Sequence, residues 1–293
     1  MSTKIEWVRN RDGTQGETIN PFRARNKATG AIGHFCEKVG PGCKNCYASR
    51  LQCRFGLFPF VAENRDKVEL FLDESKLQEV LRRRKPTTWF WCDMTDMFWD
   101  GYPDEWRDRC FAVMALTPQH MHIVFTKRAG EMRDYLSNEH RLRMKVTLGP
   151  LPLPNVWLGV SVEDRKNKDR IELLRQAPAA IRFLSLEPLL EDIGMLDLTG
   201  IHWVICGGES GPGARPAPPD WFRSARDQCQ AAGVPFFFKH WGEWSPVGDA
   251  KRHVCRDVPI GDGTHHRMFR VGGKNAGRLL DRRTWDEMPE ARQ

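Results

Sequence analysis

The chain has 293 residues, of which 40% are hydrophobic and 28% charged, enough to bury a sizeable core in one large α/β domain or two smaller ones. It contains no apolar stretch of membrane-spanning length, and its first residues, MSTKIEWVRNRDG, lack the apolar segment of a secretion signal. We therefore expect a cytoplasmic protein that makes no contact with membranes. The formal net charge of +7 is compatible with a polyanionic partner but does not require one.

Short apolar runs rich in β-branched and aromatic residues predict strands that are buried on both faces, because they lack alternating polar positions. Six runs fit this description: Thr87–Cys92, His122–Phe125, Val156–Val162, Ile181–Leu186, His202–Cys206 and Val234–Phe238. An additional first strand is predicted in the segment Gly33–Val39.

Helical patterns lie between the predicted strands, at Asp73–Arg84, Pro103–Leu116, Arg128–Leu136, Asp164–Gln176 and Pro219–Ala232. Strand–helix alternation predicts an α/β fold with a parallel sheet, here a partial (β/α) barrel of six or seven strands over residues 1–245. The last part of the chain, residues 246–293, is rich in glycine and basic residues. We expect it to form a small β-hairpin appendage.

Polar side chains come directly after each predicted strand, and in a barrel the carboxyl ends of the strands form the functional face. The sequence therefore predicts a pocket shared by these strand ends. The side chains concerned are Asp93, Asp96, Lys127, Arg128, Glu163, Glu187, Glu209, Ser210, Lys239 and His240.

Nine cysteines in a chain without an export signal favour metal binding or burial over disulfides. Cys36, Cys43 and Cys46 form a C-x6-C-x2-C motif around the turn-forming segment Gly40–Gly42. A structural zinc would need a fourth ligand, for example His34 or Cys53. A [4Fe–4S] cluster held by three cysteines would leave one iron open. The spacing leaves an iron–sulfur cluster, zinc and a purely structural role of the thiols all open.

Motifs spread over nearly the whole chain resemble a known family. The segments are Ile5–Trp7, Cys36–Ala48, Cys92–Asp100, Thr126–Tyr135, Trp157–Asp164, Arg182–Leu190, Cys206–Pro216, Pro235–Trp244 and Val271–Pro289. Together they are similar to the phage-associated three-Cys-motif proteins, a radical-SAM-like family, and more distantly to spore photoproduct lyases. One departure is the long segment between Asn20-Pro21 and Cys36, which leaves the alignment of the first strand and the role of Asn20 open.

The resemblance implies that Cys36, Cys43 and Cys46 hold a [4Fe–4S] cluster whose open iron binds S-adenosylmethionine. An external electron donor would then be a partner, and cleavage of the sulfonium would yield a 5′-deoxyadenosyl radical. Its relation to the lyases implies repair of a thymine photoproduct in DNA. The buried-thiol alternative stays open for Cys92 and Cys206, which are positional candidates for the hydrogen donor.

Further residues are assigned by their position after the strands. We expect Asp93 and Asp96 near the methionyl end of S-adenosylmethionine. Lys127 and Arg128 could meet its carboxylate or a DNA phosphate, and a solvent-exposed basic pair with neither contact is the alternative. Ser161, Glu163 and Glu209 suit ribose, carboxylate or substrate contacts, and strand-end caps or turns are the alternatives. The candidates for binding nucleic acid are Arg215, Lys239, Trp241, Arg267, Arg270, Lys274 and Arg278. Core packing is the alternative for Trp241.

The sequence thus leads to a first hypothesis, a monomeric radical-SAM enzyme that acts on single-stranded or lesion-containing DNA. A second hypothesis is a radical-SAM enzyme that modifies a partner protein or an RNA base. A third is a nucleic-acid-binding module that carries zinc or a cluster without catalysis.

Overall fold

The computed structural model of the protein describes residues 3–138, 152–261 and 263–290. They divide into two compact units. The first takes the described residues up to Val160 together with Leu173–Ile181, and the second takes Ser161–Glu172 and the described residues from Arg182 onward. Within these described ranges, no helix is both long and apolar enough to cross a membrane.

Strands and helices alternate along the chain, as the sequence predicts. The elements up to residue 138 are β1 Glu17–Ile19, β2 Phe22–Asn26, β3 Ile32–Gly33, α1 Tyr47–Arg54, β4 Val68–Leu72, α2 Glu74–Arg82, β5 Thr88–Trp91, α3 Asp104–Leu116, β6 Met121–Thr126 and α4 Ala129–Ser137. The later elements are β7 Val156–Ser161, α5 Asp169–Gln176, β8 Ile181–Leu186, β9 Trp203–Gly207, α6 Pro219–Ala231, β10 Phe236–His240, β11 Trp244–Ser245, β12 Cys255–Pro259, β13 His265–Arg270 and α7 Gly273–Ala276.

Seven strands form one sheet in the order β1-β5-β6-β7-β8-β9-β10. Its register is parallel, with Trp89 of β5 opposite both Glu17 of β1 and His122 of β6. Every residue of β5 and β7 is buried, as expected for parallel strands covered on both faces. The predicted α/β class, with six or seven parallel strands and a small C-terminal β appendage, is confirmed.

The predicted first strand at Gly33–Val39 is wrong. The first strand of the parallel sheet is β1, and β3 covers only Ile32–Gly33 in a separate antiparallel sheet of order β3-β2-β4. β1 is short and only partly buried, so it lacks the long apolar run that identifies the other strands. The segment between Asn20-Pro21 and Cys36 therefore forms β2 and β3.

The C-terminal appendage is a three-stranded antiparallel sheet of order β11-β13-β12 within the second unit, and its β12–β13 hairpin confirms the predicted appendage. Residues after it return to β10, where the amide of Phe238 donates to the carbonyl of Trp285 at 2.9 Å. These contacts pair backbone groups at the edge of the parallel sheet. The predicted domain boundary after residue 245 stays a prediction.

A polar network lies in the core of the first unit around His122, which is fully buried on β6. Its Nδ1 accepts a hydrogen bond from the indole of Trp91 at 3.1 Å, and its Nε2 lies 3.0 Å from the hydroxyl of Thr117. Burial lowers the pKa of His122 to about 3, so that the ring is neutral in the folded protein.

This burial predicts an acid-sensitive fold. The unfolded chain protonates His122 near pH 6.5 and the folded protein does not, so the free energy of unfolding falls as the pH drops. Between pH 7 and pH 5 the loss from this side chain is about 2 kcal/mol. Urea denaturation of the wild type and of His122→Gln at both pH values should show a smaller pH dependence in the variant. Equal pH dependence in both proteins would contradict the prediction, and the exposed His265→Gln is the control.

Candidate functional site

The three-cysteine segment lies between β3 and α1 of the first unit. Cys36 is buried, whereas Cys43 and Cys46 are partly exposed. A 3-10 turn at Pro41–Cys43 follows the extended Gly40, and the amide of Cys46 then donates to the carbonyl of Cys43 at 3.3 Å. α1 begins at the residue after Cys46. The glycine–proline turn and the helix start thus form the backbone that carries the second and third thiols.

The surroundings of Cys36 oppose ionisation of its thiol. Burial, together with the charges of Asp96, Cys43 and Cys46, raises the pKa of Cys36 to about 12, and the Arg128 charge opposes this shift. Cys36 is therefore protonated in the metal-free protein at neutral pH. Binding of a cation that replaces this proton would be needed to make it a thiolate.

The two neighbouring candidates for a fourth zinc ligand are engaged elsewhere. The Nδ1 of His34 is 3.0 Å from the carbonyl of Phe22, and its Nε2 is 3.4 Å from the guanidinium of Arg23. The thiol of Cys53 donates to the carbonyl of Ser49. Across the described ranges, no three His, Cys, Asp or Glu side chains form a ligand group for a single metal ion. An iron–sulfur cluster makes a different demand, because it binds each thiolate to a separate iron.

Arg128 joins the first cysteine to the carboxyl ends of two strands. It caps α4 directly after β6, and its side chain is buried. Its Nη1 is 3.8 Å from the Sγ of Cys36 and 3.4 Å from the Oδ2 of Asp96. Its Nη2 donates to the carbonyl of Glu37 at 2.8 Å. A guanidinium in this position favours a thiolate at Cys36 over a thiol.

Asp96 anchors this arginine and is itself fully engaged. Its Oδ1 accepts from the Thr126 hydroxyl at 2.6 Å and from the amide of Phe98, and its Oδ2 accepts from the amide of Lys127 at 3.0 Å. These contacts tie the loop after β5 to the end of β6. The structure therefore gives Asp96 internal partners, and its predicted contact with S-adenosylmethionine stays a prediction.

Asp93 forms a second polar centre in the same loop. Asn20, directly after β1, donates to its Oδ1 at 2.5 Å and accepts the amide of Met94 at 2.9 Å. The hydroxyl of Tyr47, the residue after Cys46, donates to the Asp93 carbonyl at 2.5 Å. Burial raises the pKa of Asp93, and the bonds from Asn20 and Tyr47 oppose this shift. Asn20 was left without a role by the sequence, and its position after a short, partly buried strand explains why.

Cys92 and Lys127 complete the predicted residues of the first unit. Cys92 is buried at the end of β5 with a positive φ of 63°, and burial raises the pKa of its thiol well above the usual value. Its backbone amide donates to the carbonyl of Ile19. This placement fits the buried-thiol alternative. Lys127 is half-buried between β6 and α4.

In the second unit, Ser161 and Glu163 lie at the end of β7 and are completely buried. The guanidinium of Arg170 donates to the carbonyl of Ser161 and to the carboxylate of Glu163, both at 2.7 Å. The buried carboxylate thus has a buried cationic partner from α5. Contacts of these two residues with ribose stay a prediction.

Glu209 is held by Arg215, a predicted contact for nucleic acid. The Nε and the backbone amide of Arg215 both donate to the Oε2 of Glu209 at 2.8 Å. Close backbone packing fixes this loop, since a Cβ on Gly208 would lie 2.0 Å from the carbonyl oxygen of Trp241. Gly208 therefore has a packing reason that needs no ligand.

Lys239 and Glu187 pair at the ends of β10 and β8, where the ammonium donates to the carboxylate at 2.6 Å. The Nε2 of His240 is 3.8 Å from the same carboxylate. Trp241 lies in the core against Phe222 and Phe238, as its core-packing alternative requires. It is therefore not placed to stack on a base. Cys206 is fully buried on β9, and burial raises the pKa of its thiol well above the usual value.

The basic residues of the C-terminal part differ in exposure and in their pairing with carboxylates. Arg267 makes two hydrogen bonds to Asp257 across the β12–β13 hairpin, at 2.7 and 2.9 Å. Arg278 pairs with Asp286, and its guanidinium lies over the ring of Phe237. Arg270 and Lys274 are exposed. The structure thus favours Arg270 and Lys274 over Arg278 as surface contacts for a phosphate backbone.

The fold and the site define a parallel α/β protein with a three-cysteine segment beside the carboxyl ends of its first strands. Residues 23–289 match the family described as "Protein of unknown function (DUF5131)", and the chain belongs to that family. No curated protein matches the chain.

Two chains of solved structures match. The first is a spore photoproduct lyase mutant with bound AdoMet and dinucleoside spore photoproduct, with 10% identity, a TM-score of 0.37, and coverage of 92% of this chain and 70% of that one. The second is spore photoproduct lyase complexed with dinucleoside spore photoproduct, with 10% identity, a TM-score of 0.32, and coverage of 77% and 63%.

The Asn20 contacts predict a stabilising role that the sequence does not reveal. Asn20→Ala leaves an acceptor of Asp93 and the amide of Met94 without their partner, and the free energy of unfolding should fall by about 1–3 kcal/mol. Chemical denaturation measures this loss. Asn275→Ala, which removes an exposed hydrogen bond to the carbonyl of Val271, should change stability by less than about 0.5 kcal/mol. Equal losses in the two variants would show that the Asn20 network contributes nothing.

Proposed function

We propose that the protein is a radical-SAM enzyme that acts on DNA, with repair of a thymine photoproduct as its reaction. The observation that carries the cofactor part is the contact between the Arg128 guanidinium and the thiol of Cys36 at 3.8 Å, in the segment that also contains Cys43 and Cys46. A cation beside a buried sulfur offsets part of the cost of ionising it, so that a bound metal can more easily replace the thiol proton.

Cys36, Cys43 and Cys46 would hold a [4Fe–4S] cluster through their thiolates. When bound, this cluster supplies the electron that cleaves S-adenosylmethionine, and the protein supplies position and exclusion of water. The backbone of Gly40–Gly42 turns tightly between the first two ligands. Asp93 and Asp96 hold the loop after β5 beside this segment through Asn20, Tyr47 and Arg128.

The DNA part of the proposal is supported by charge. The chain carries a formal charge of +7, and the appendage exposes Arg270 and Lys274. Lys239 and Arg215 have carboxylate partners, so a phosphate would have to compete with Glu187 and Glu209 for them. Exposed basic residues on the hairpin therefore supply the simplest contacts with a polyanion.

Cofactor content is the first test. Anaerobically purified protein should be brown and contain about four irons per chain, and Cys43→Ala should lose them. Cys53→Ala is a matched control, since this cysteine lies only ten residues after Cys43, on α1, and its thiol donates to the carbonyl of Ser49. A colourless wild-type protein that contains zinc would overturn the radical reaction.

Product analysis separates the possible activities. Reduced protein incubated with S-adenosylmethionine should yield 5′-deoxyadenosine, and with DNA that contains the thymine photoproduct it should restore thymine. Formation of 5′-deoxyadenosine without repair would move the assignment to a radical-SAM enzyme with another substrate. No cleavage with a strong reductant would leave a nucleic-acid-binding module.

Binding of DNA should depend on salt through the appendage. Replacing both Arg270 and Lys274 by alanine should weaken binding to single-stranded DNA and reduce the slope of log K against log salt by about 1.5. The control pair, Arg82→Ala with Arg84→Ala, removes the same charge from exposed positions at the end of α2. Fluorescence anisotropy at several salt concentrations measures the slope. Equal losses in both double variants would mean that only net charge matters.

A further inference from the structure

The buried side chain of Arg128 lies beside one proposed cluster ligand, and its contacts extend beyond the sulfur of Cys36. Arg128 is not a metal ligand, and its side chain is only 8% exposed. An ionised guanidinium in such a place is unfavourable unless every donor direction is used. The ion pair with Asp96 neutralises the charge of Arg128 but does not account for its contacts with Cys36 and Glu37.

Arg128 contacts two parts of the first unit, the carboxylate of Asp96 and the Cys36–Glu37 segment. The carboxylate of Asp96 also accepts hydrogen bonds from Thr126, Phe98 and Lys127. It would therefore keep partners if the arginine were removed. In the segment at the first cysteine, the Arg128 guanidinium donates to the Sγ of Cys36 and to the carbonyl of Glu37.

We propose that Arg128 is a positioning residue that holds the Cys36–Glu37 segment in its cluster-binding conformation and donates a hydrogen bond to the Cys36 sulfur. The proposal rests on the cluster assignment above. Glu37 is linked to Arg128 through its backbone, so the arginine orients the chain as well as the thiol. Hydrogen bonds to a ligand sulfur stabilise the reduced, more negative cluster and raise its potential.

The charge-conserving variant separates geometry from charge. Arg128→Lys keeps the positive charge but loses the planar fork that reaches two partners at once. Arg128→Met removes both the charge and the donors at similar length. Asp96 retains its three other donors in both variants. Arg128→Met leaves the Asp96 carboxylate without its cation and should lower the free energy of unfolding, whereas Arg128→Lys keeps a cation there, and chemical denaturation checks that both variants remain folded.

Three measurements test the proposal against a matched control. The control is Arg226→Met, which removes an arginine of similar burial that pairs with Asp281 in the second unit. In reconstituted protein, Arg128→Met should lose iron to a chelator about tenfold faster than the wild type, with Arg128→Lys between them. The midpoint potential of the cluster should become more negative in Arg128→Met and stay unchanged in Arg226→Met.

The third measurement uses metal-free protein and does not depend on the cluster. Hydrogen exchange of the peptide 34–46 should be faster in Arg128→Met than in the wild type and in Arg226→Met. Wild-type iron retention, potential and exchange in Arg128→Met would overturn the proposal, and so would equal iron loss in Arg226→Met. If the wild type binds no iron, the cluster assignment fails, and the exchange result alone decides whether Arg128 holds the segment.

Discussion

The first unit depends on one buried charge interaction, between the Arg128 guanidinium and the Asp96 carboxylate. Burial of either charged group is unfavourable unless its hydrogen-bonding positions are satisfied, and each group therefore has further hydrogen-bond partners. Asp96 takes donors from β6 and from its own loop, and Arg128 takes the carbonyl of Glu37 and the sulfur of Cys36. The ends of two parallel strands and the start of the cysteine segment are thereby held together.

Pairing of opposite charges is repeated at other strand ends. Glu209 accepts from Arg215, Glu187 from Lys239 and Glu163 from Arg170. Parallel strands gather polar residues at one edge, where partial burial strengthens the attraction between opposite charges. A ligand can use these side chains only by competing with an internal partner or by bonding to the acceptor positions that the pair leaves open. This condition restricts which of the predicted contacts can operate.

The proposed chemistry and the proposed substrate rest on different parts of the chain. The cluster assignment depends on Cys36, Cys43, Cys46 and the cation beside the first of them. The DNA assignment depends on exposed charge of the appendage, which is a weaker constraint, because any polyanion satisfies it. The family to which the chain belongs is one of unknown function. Measuring the cofactor and the nucleic acid separately therefore tests two independent statements.

The sequence by itself determined the parallel α/β class, six of the seven strands and the hairpin appendage, because long apolar runs separated by amphipathic segments pack in few ways. It also identified the three cysteines by their spacing. Only the tertiary structure decided the first strand, since β1 is too short and too polar to stand out. It also decided which charged residues pair, the burial of Trp241 and the roles of Asn20 and Arg128. These depend on contacts between residues 73 and 92 positions apart, which local patterns do not encode.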